Sequence, residues 1–258
     1  MKGEFNTVVI KIPEDQFEST YCEEYTVMNH DTDAKGDVRP SALLRYMQET
    51  ANHNMRDCRP TYMELFENGK SFLLSRISVR IYEQLSQYDR IAVQTWPCHD
   101  KGLTFNREYR IIRDGRVVAE AASAWALLDT DNGALIRCDG TLLQNYVHAE
   151  KLEGLPLRFR FPKAELEEAG EHRVVYHDVD VNYHVNNTNY PDILTDVCGD
   201  AQRLHLASMT INYVREAKLG ELMKLFHCFE ETEEGRVYYV RSTIDGEVNT
   251  EGRFVYSF

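Results

Sequence analysis

Between residues 40 and 56, apolar side chains return every three or four positions, and Leu44, Met47, Ala51 and Met55 fall on one face. That spacing predicts an amphipathic helix. Pro40 opens it, because a fixed φ and a missing N–H suit a first helical turn. Beyond the helix the period changes to two. Ile77, Val79 and Ile81 alternate with Ser78 and Arg80, as along a strand with one buried face. Strands are expected over 21–28, 72–83, 89–97, 103–113 and 116–128. The pattern then begins again, with a strand at 173–179, a short helix at 188–198 ended by Gly199, and strands at 205–216, 221–230, 236–244 and 247–257. One helix and four consecutive antiparallel strands, twice over, predict an α+β fold with a helix against one sheet face in each half. Residues 130–171, with Glu165-Leu166-Glu167-Glu168, read as the connection, part of it a solvated helix.

The two halves share more than a pattern. His30-Asp31-Thr32-Asp33 recurs as His177-Asp178-Val179-Asp180, an offset of 147 (177 − 30), and Asp114-Gly115 recurs as Asp245-Gly246, an offset of 131 (245 − 114). Asp-Gly between apolar runs is a hairpin signal, because both turn residues must tolerate positive φ. Two matches in the same order mark an internal duplication. The second copy is shorter by about 16 residues (147 − 131) between helix and sheet. The expected division is a first unit over 1–138, a linker over 139–171 and a second unit over 172–258.

At 258 residues the chain is long enough for two such units. A net charge of −13 argues against nucleic acid or an anionic membrane as partner. No apolar run approaches the roughly 18 residues of a membrane span. Met1-Lys2-Gly3-Glu4-Phe5 lacks the apolar stretch of a signal peptide, so a cytoplasmic location is expected. The six cysteines (Cys22, Cys58, Cys98, Cys138, Cys198 and Cys228) are scattered without a C-x-x-C pair. They read as free thiols rather than disulfides or a zinc site, and neither metal nor cofactor is expected.

The densest polar cluster runs from Asp180 through Val181, Asn182, Tyr183, His184 and Val185 to Asn186 and Asn187, between a strand and a helix. Asp180, Asn182 and His184 alternate, so an extended stretch would point all three the same way. Together they offer an orienting carboxylate, a donor to a carbonyl and a base active near neutral pH. The blander alternative is a loop whose Asn and Asp serve turns and a helix cap. At the matching positions the first half has Asp33, Lys35 and Asp37 and keeps only the aspartate. One half is therefore expected to work while the other is released for another task.

This octapeptide, followed by Tyr190, resembles the signature of the acyl-acyl-carrier-protein thioesterases of plants and bacteria. Residues 44–53, Phe72-Leu73-Leu74-Ser75-Arg76 and Ala122-Ser123-Ala124-Trp125-Ala126 also look similar to that family, so the likeness runs from about residue 20 to the end. The resemblance implies a tandem (double) hot-dog fold that hydrolyses fatty acyl thioesters, with acyl carrier protein as partner. It also implies a catalytic cluster of Asp180, Asn182, His184 and, in the stretch Tyr213–Ala217, Glu216. Where the plant proteins place a cysteine, this chain has Ala217, which argues against a thiol nucleophile. Activated water is the expected nucleophile, with Glu216, His184 or both as base. Strand alternation would put Glu216 on the face of Thr210, Asn212 and Val214. The alternative for Glu216 is a surface carboxylate paired with Arg215 or Lys218.

The resemblance places the acyl pocket in the first half. Leu44, Met47, Ala51 and Met55 are its candidate lining, and Asn186 and Asn187 are further substrate-binding candidates. The carrier is acidic, so Arg107, Arg110, Arg113 and Arg116, or Arg56 and Arg59, are candidates for docking. Three other activities stay open: an acyl-CoA thioesterase, a hot-dog dehydratase or hydratase, and a non-catalytic acyl-thioester binding module. Two fused units allow a monomer, and free sheet edges allow a homodimer.

Overall fold

The structure, a computed structural model, describes residues 20–98, 102–138, 142–233 and 235–257. Met1–Phe5 lie outside them. In chain order the elements are β1 (Tyr21–Thr26), α1 (Pro40–Cys58), α2 (Tyr62–Glu67), β2 (Lys70–Ile81), β3 (Arg90–Pro97), β4 (Phe105–Arg113), β5 (Arg116–Asp129) and β6 (Leu135–Ile136). They continue with β7 (Glu167–Arg173), α3 (Tyr190–Thr195), β8 (His205–Tyr213), β9 (Leu222–Thr232), β10 (Gly235–Ile244) and β11 (Glu247–Ser257).

The strands join in one antiparallel sheet, ordered β1-β3-β4-β5-β2-β8-β11-β10-β9-β7, with β6 added on β5. Read from either end this order is the same architecture, so the duplication is a local two-fold about the β2–β8 seam. Ser78 opposes Thr210 at that seam, and their buried hydroxyls meet at 3.2 Å. Arg110 pairs with Glu120 at 3.0 Å and Arg241 with Glu251 at 2.6 Å, the same bond repeated 131 residues apart. Both predicted hairpins form, with Asp114, Gly115, Asp245 and Gly246 all at positive φ. This is the tandem hot-dog arrangement: a sheet wrapped on a helix, twice.

Core residues from both halves fuse into one cluster, with Met47, Ile77 and Ile111 continuous with Leu194, Ile211 and Phe254. Burying each such side chain is worth roughly 1.5–3 kcal/mol. Three differences from the sequence reading affect the site. The second helix has 6 residues against 19 in the first, and α2 has no counterpart among the described residues; these account for the shortening. The stretch around Glu167 is not helix but the start of edge strand β7, which pairs with β9. Edge pairing overrides the helical preference of its glutamates. Finally, β8 stops at Tyr213 rather than running to 216.

No helix among the described residues is long and apolar enough to cross a membrane. No disulfide joins cysteines among the described residues, and Cys98 and Cys198 are buried.

Candidate active site

The polar octapeptide is not extended. Asp180 N–H donates to the His184 carbonyl at 2.9 Å and Tyr183 N–H to the Asp180 carbonyl at 3.0 Å, closing a tight turn with Tyr183 at φ 61°. The first half makes the same turn, from Asp33 to Asp37, but with Gly36 at the positive-φ position. A bulky residue there costs about 1–2 kcal/mol. Such strain is commonly kept at functional sites. The Asp180 carboxylate fastens the turn from inside, accepting the Asn182 N–H at 2.8 Å. Asn182 turns its amide to the Tyr62 hydroxyl of α2, 3.5 Å away.

His184 leaves this turn beside the segment that follows β8. Val185 N–H donates to the Ala217 carbonyl at 2.9 Å, which draws Glu216 alongside. His184 Nδ1 and Glu216 Oε2 are 3.1 Å apart. Glu216 is not bound by strand parity, because β8 has ended. Arg215, its alternative partner, pairs with Glu221 instead. His184 Nε2 makes no hydrogen bond among the described residues, so the ring offers a nitrogen to the cleft it lines.

Sequence reasoning missed what fixes the segment carrying Glu216. Asn249, fully buried on β11, accepts the N–H groups of Val214 and Arg215 at its carbonyl (2.9 and 3.0 Å). Its side-chain amide donates to the Arg215 carbonyl and, at 3.4 Å, to the Tyr190 hydroxyl. Its Oδ1 accepts from Ser242 at 2.8 Å. An asparagine inside a strand was the available signal, since strands disfavour it. Tyr190 and Tyr213 cross edge to face, and burial pushes both phenols up. They stay neutral, and Tyr213 donates to the Asn187 carbonyl at 3.0 Å. The Asn187 N–H has no partner among the described residues.

Asp180, Asn182, His184, Asn186, Asn187 and Glu216 all line one cleft of about 860 Å³ that runs into the first half. There its walls are α1, α2, β2, β4 and β5, with Ala51 and Met55 facing the space. Leu44 and Met47, expected on the wall, lie in the core cluster instead, 3% and 1% exposed. They sit on the α1 turns nearest the second half, packed too deeply for a ligand. No cysteine lines the cleft.

The arginines expected to dock a carrier are mostly committed to the sheet. Arg107 is 8% exposed. Arg110 binds Glu120, Arg113 binds Glu83 and Asp89 at 2.7 and 2.6 Å, and Arg116 binds Glu83. Arg56 and Arg59 do lie at the surface, beside Asp57 and Glu64.

Two family models match the chain: the acyl-ACP thioesterase N-terminal domain over residues 18–146 and the C-terminal domain over residues 163–257. A chloroplastic palmitoyl-acyl carrier protein thioesterase of Arabidopsis thaliana is 22% identical over 215 residues, 76% of this chain and 52% of that protein. The chain thus spans about half the length of this curated relative. An acyl-ACP thioesterase from Bacteroides thetaiotaomicron superposes with a TM-score of 0.83 at 21% identity, covering 95% of this chain and 100% of the other. The 12:0-ACP thioesterase from Umbellularia californica gives 0.80 at 16% identity, covering 95% and 97%. Both structures share the fold described above. With both family models matched in order along nearly its whole length, the chain belongs to the acyl-ACP thioesterase family.

Proposed function

We propose that the protein hydrolyses fatty acyl thioesters of acyl carrier protein to free fatty acid and carrier thiol, with water as the nucleophile. The observation that carries this reading is the 3.1 Å contact between His184 Nδ1 and Glu216 Oε2 at the head of a long, apolar-walled cleft. Glu216 accepts the Nδ1 proton and so fixes the tautomer that leaves the Nε2 lone pair toward the cleft. Nε2 takes a proton from water, and the resulting hydroxide adds to the thioester carbonyl carbon. The Asn182 amide and the Asn187 N–H are placed to hold the oxyanion. Collapse breaks the C–S bond, and the thiolate leaves with the proton from the imidazolium. Asp180 keeps the turn in shape.

A thiol nucleophile has no candidate here. Ala217, next to Glu216, is fully buried, and burial pushes the Cys198 thiol up, away from the reactive thiolate. The relatives named for palmitoyl-ACP and 12:0-ACP support a carrier-bound substrate over coenzyme A. Arg56 and Arg59, exposed near the cleft-lining Met55, are the docking groups this reading favours for an acidic carrier. Glu216 as the base itself is a second reading, favoured by its side chain being 49% exposed. It requires Glu216→Gln to lose more activity than His184→Gln.

The test is release of thiol from acyl-carrier-protein and acyl-CoA substrates of matched chain lengths. Thiol and free acid should appear in equal amounts, with the carrier-bound substrate preferred. A variant with all six cysteines replaced should turn over within a few-fold of the parent. Near-complete loss in a folded cysteine-free protein, or an altered double bond without thiol release, would overturn the proposal.

A further inference from the structure

At the far end of the same cleft stands a cation with no carboxylate beside it among the described residues. Arg107, on β4, is 8% exposed and lines the cleft. Its Nη1 donates to Asn54 Oδ1 at 2.9 Å and to Thr95 Oγ1 at 3.2 Å. Its guanidinium lies over the Tyr146 ring, 5.8 Å from the centroid. All three contacts are to neutral groups. Nε and Nη2 make no hydrogen bond among the described residues and keep some accessible surface. Arg110 and Arg113, farther along the same strand, each have a carboxylate within 3.0 Å. Arg107 is the exception. Burying a charge without a counter-charge is costly, and proteins tend to keep such groups where a ligand completes them.

Its position indicates which ligand. The strands β4, β5, β2 and β8 are consecutive in the sheet, so Arg107 lies three strand spacings, about 14 Å, from β8, which leads into the Glu216 segment. Phe105, Trp125 and Leu74 stand level with one another across that interval, and all three face the cleft. A chain held by its thioester at Asn182 and Asn187 would cross these apolar groups and bring its far end to Arg107.

We propose that the cleft takes acyl thioesters whose far end carries a carboxylate, and that Arg107 is the residue that receives it. The inference rests on the thioesterase reading above and names its substrate class. An ω-carboxylate accepts from Nε and Nη2 in the paired geometry guanidinium favours, and it supplies a counter-charge that no described residue provides at this point.

The experiment compares wild-type kcat/KM for the dodecanoyl thioester of acyl carrier protein with that for its ω-carboxy analogue, by thiol release. The ω-carboxy chain should be preferred by roughly ten- to a hundredfold, the size of a charge-assisted hydrogen bond. Arg107→Met should bring the ratio to one or below, while Arg107→Lys, which keeps the charge, should retain a preference above one. A merely structural arginine would not move the ratio. Turnover of both substrates by the wild type without that preference refutes the subsite and leaves the thioesterase reading standing. Absence of thiol release from either refutes both. The wild-type comparison decides even if Arg107→Met fails to fold.

Discussion

Glu216 owes its place to an amide 33 residues further along the chain: Asn249 binds the backbone of Arg215 from a fully buried position. Replacing it with alanine strands the Arg215 carbonyl and the Ser242 hydroxyl in an apolar setting, which costs about 1–3 kcal/mol for each group left unpaired. The same change frees the segment that aims Glu216 at His184. Asn249→Ala should therefore lower the unfolding midpoint and also reduce kcat at least tenfold at a temperature where the variant is folded. Unchanged kcat in the folded variant would contradict the positioning role. The octapeptide was legible as a candidate site because its residue types and spacing are local. The roles of Asn249 and the buried Arg107 were not: an asparagine in a strand stands out, but the groups either side chain meets across the fold leave no mark in a short window of sequence. Arg107 looked like its neighbours Arg110 and Arg113 until β4 showed which face each one takes.

At the scale of elements, the first helix is capped by the other half of the molecule. Arg39 precedes α1 without a side-chain cap, and Asp192 of α3 instead accepts from Ser41 N–H at 3.0 Å and Ser41 Oγ at 2.5 Å. Asp192→Ala should lower the unfolding free energy by about 1 kcal/mol, the usual worth of a lost cap, read from denaturant midpoints. An unchanged midpoint would show that α1 does not depend on it. The matching turn of the first half is part of this seam. Lys35, standing where the second half has Asn182, donates to the carbonyls of Ala201 and Leu204 at 2.5 and 2.9 Å, and Asp37, standing where it has His184, meets His205 Nδ1 at 2.6 Å. Helix α1, the strand periods and both Asp-Gly hairpins could be read from the sequence because local propensity and tertiary packing agree there. The end of β8 and the strand β7 could not. Each is decided by a partner strand, β11 for one and β9 for the other.

In the whole molecule, one sheet and one main core cluster run unbroken through both copies, and the cleft draws its lining from both sides of that seam. The second half supplies His184 and Glu216, the first supplies the walls of α1, α2 and β2, and neither alone closes the cleft. The repeat was visible in the sequence, whereas the two-fold relating its copies appeared only when β2 paired with β8. In the proposed mechanism His184 and Glu216 act as one unit on water in this cleft. The most direct test is kcat for acyl-carrier-protein hydrolysis in His184→Ala, Glu216→Ala and the double variant. Each single change should cost about 10²–10⁴-fold, and the double variant should be no slower than the worse single one, as for groups that work together. Near-normal rates in folded single variants, or losses that multiply in the double, would contradict it.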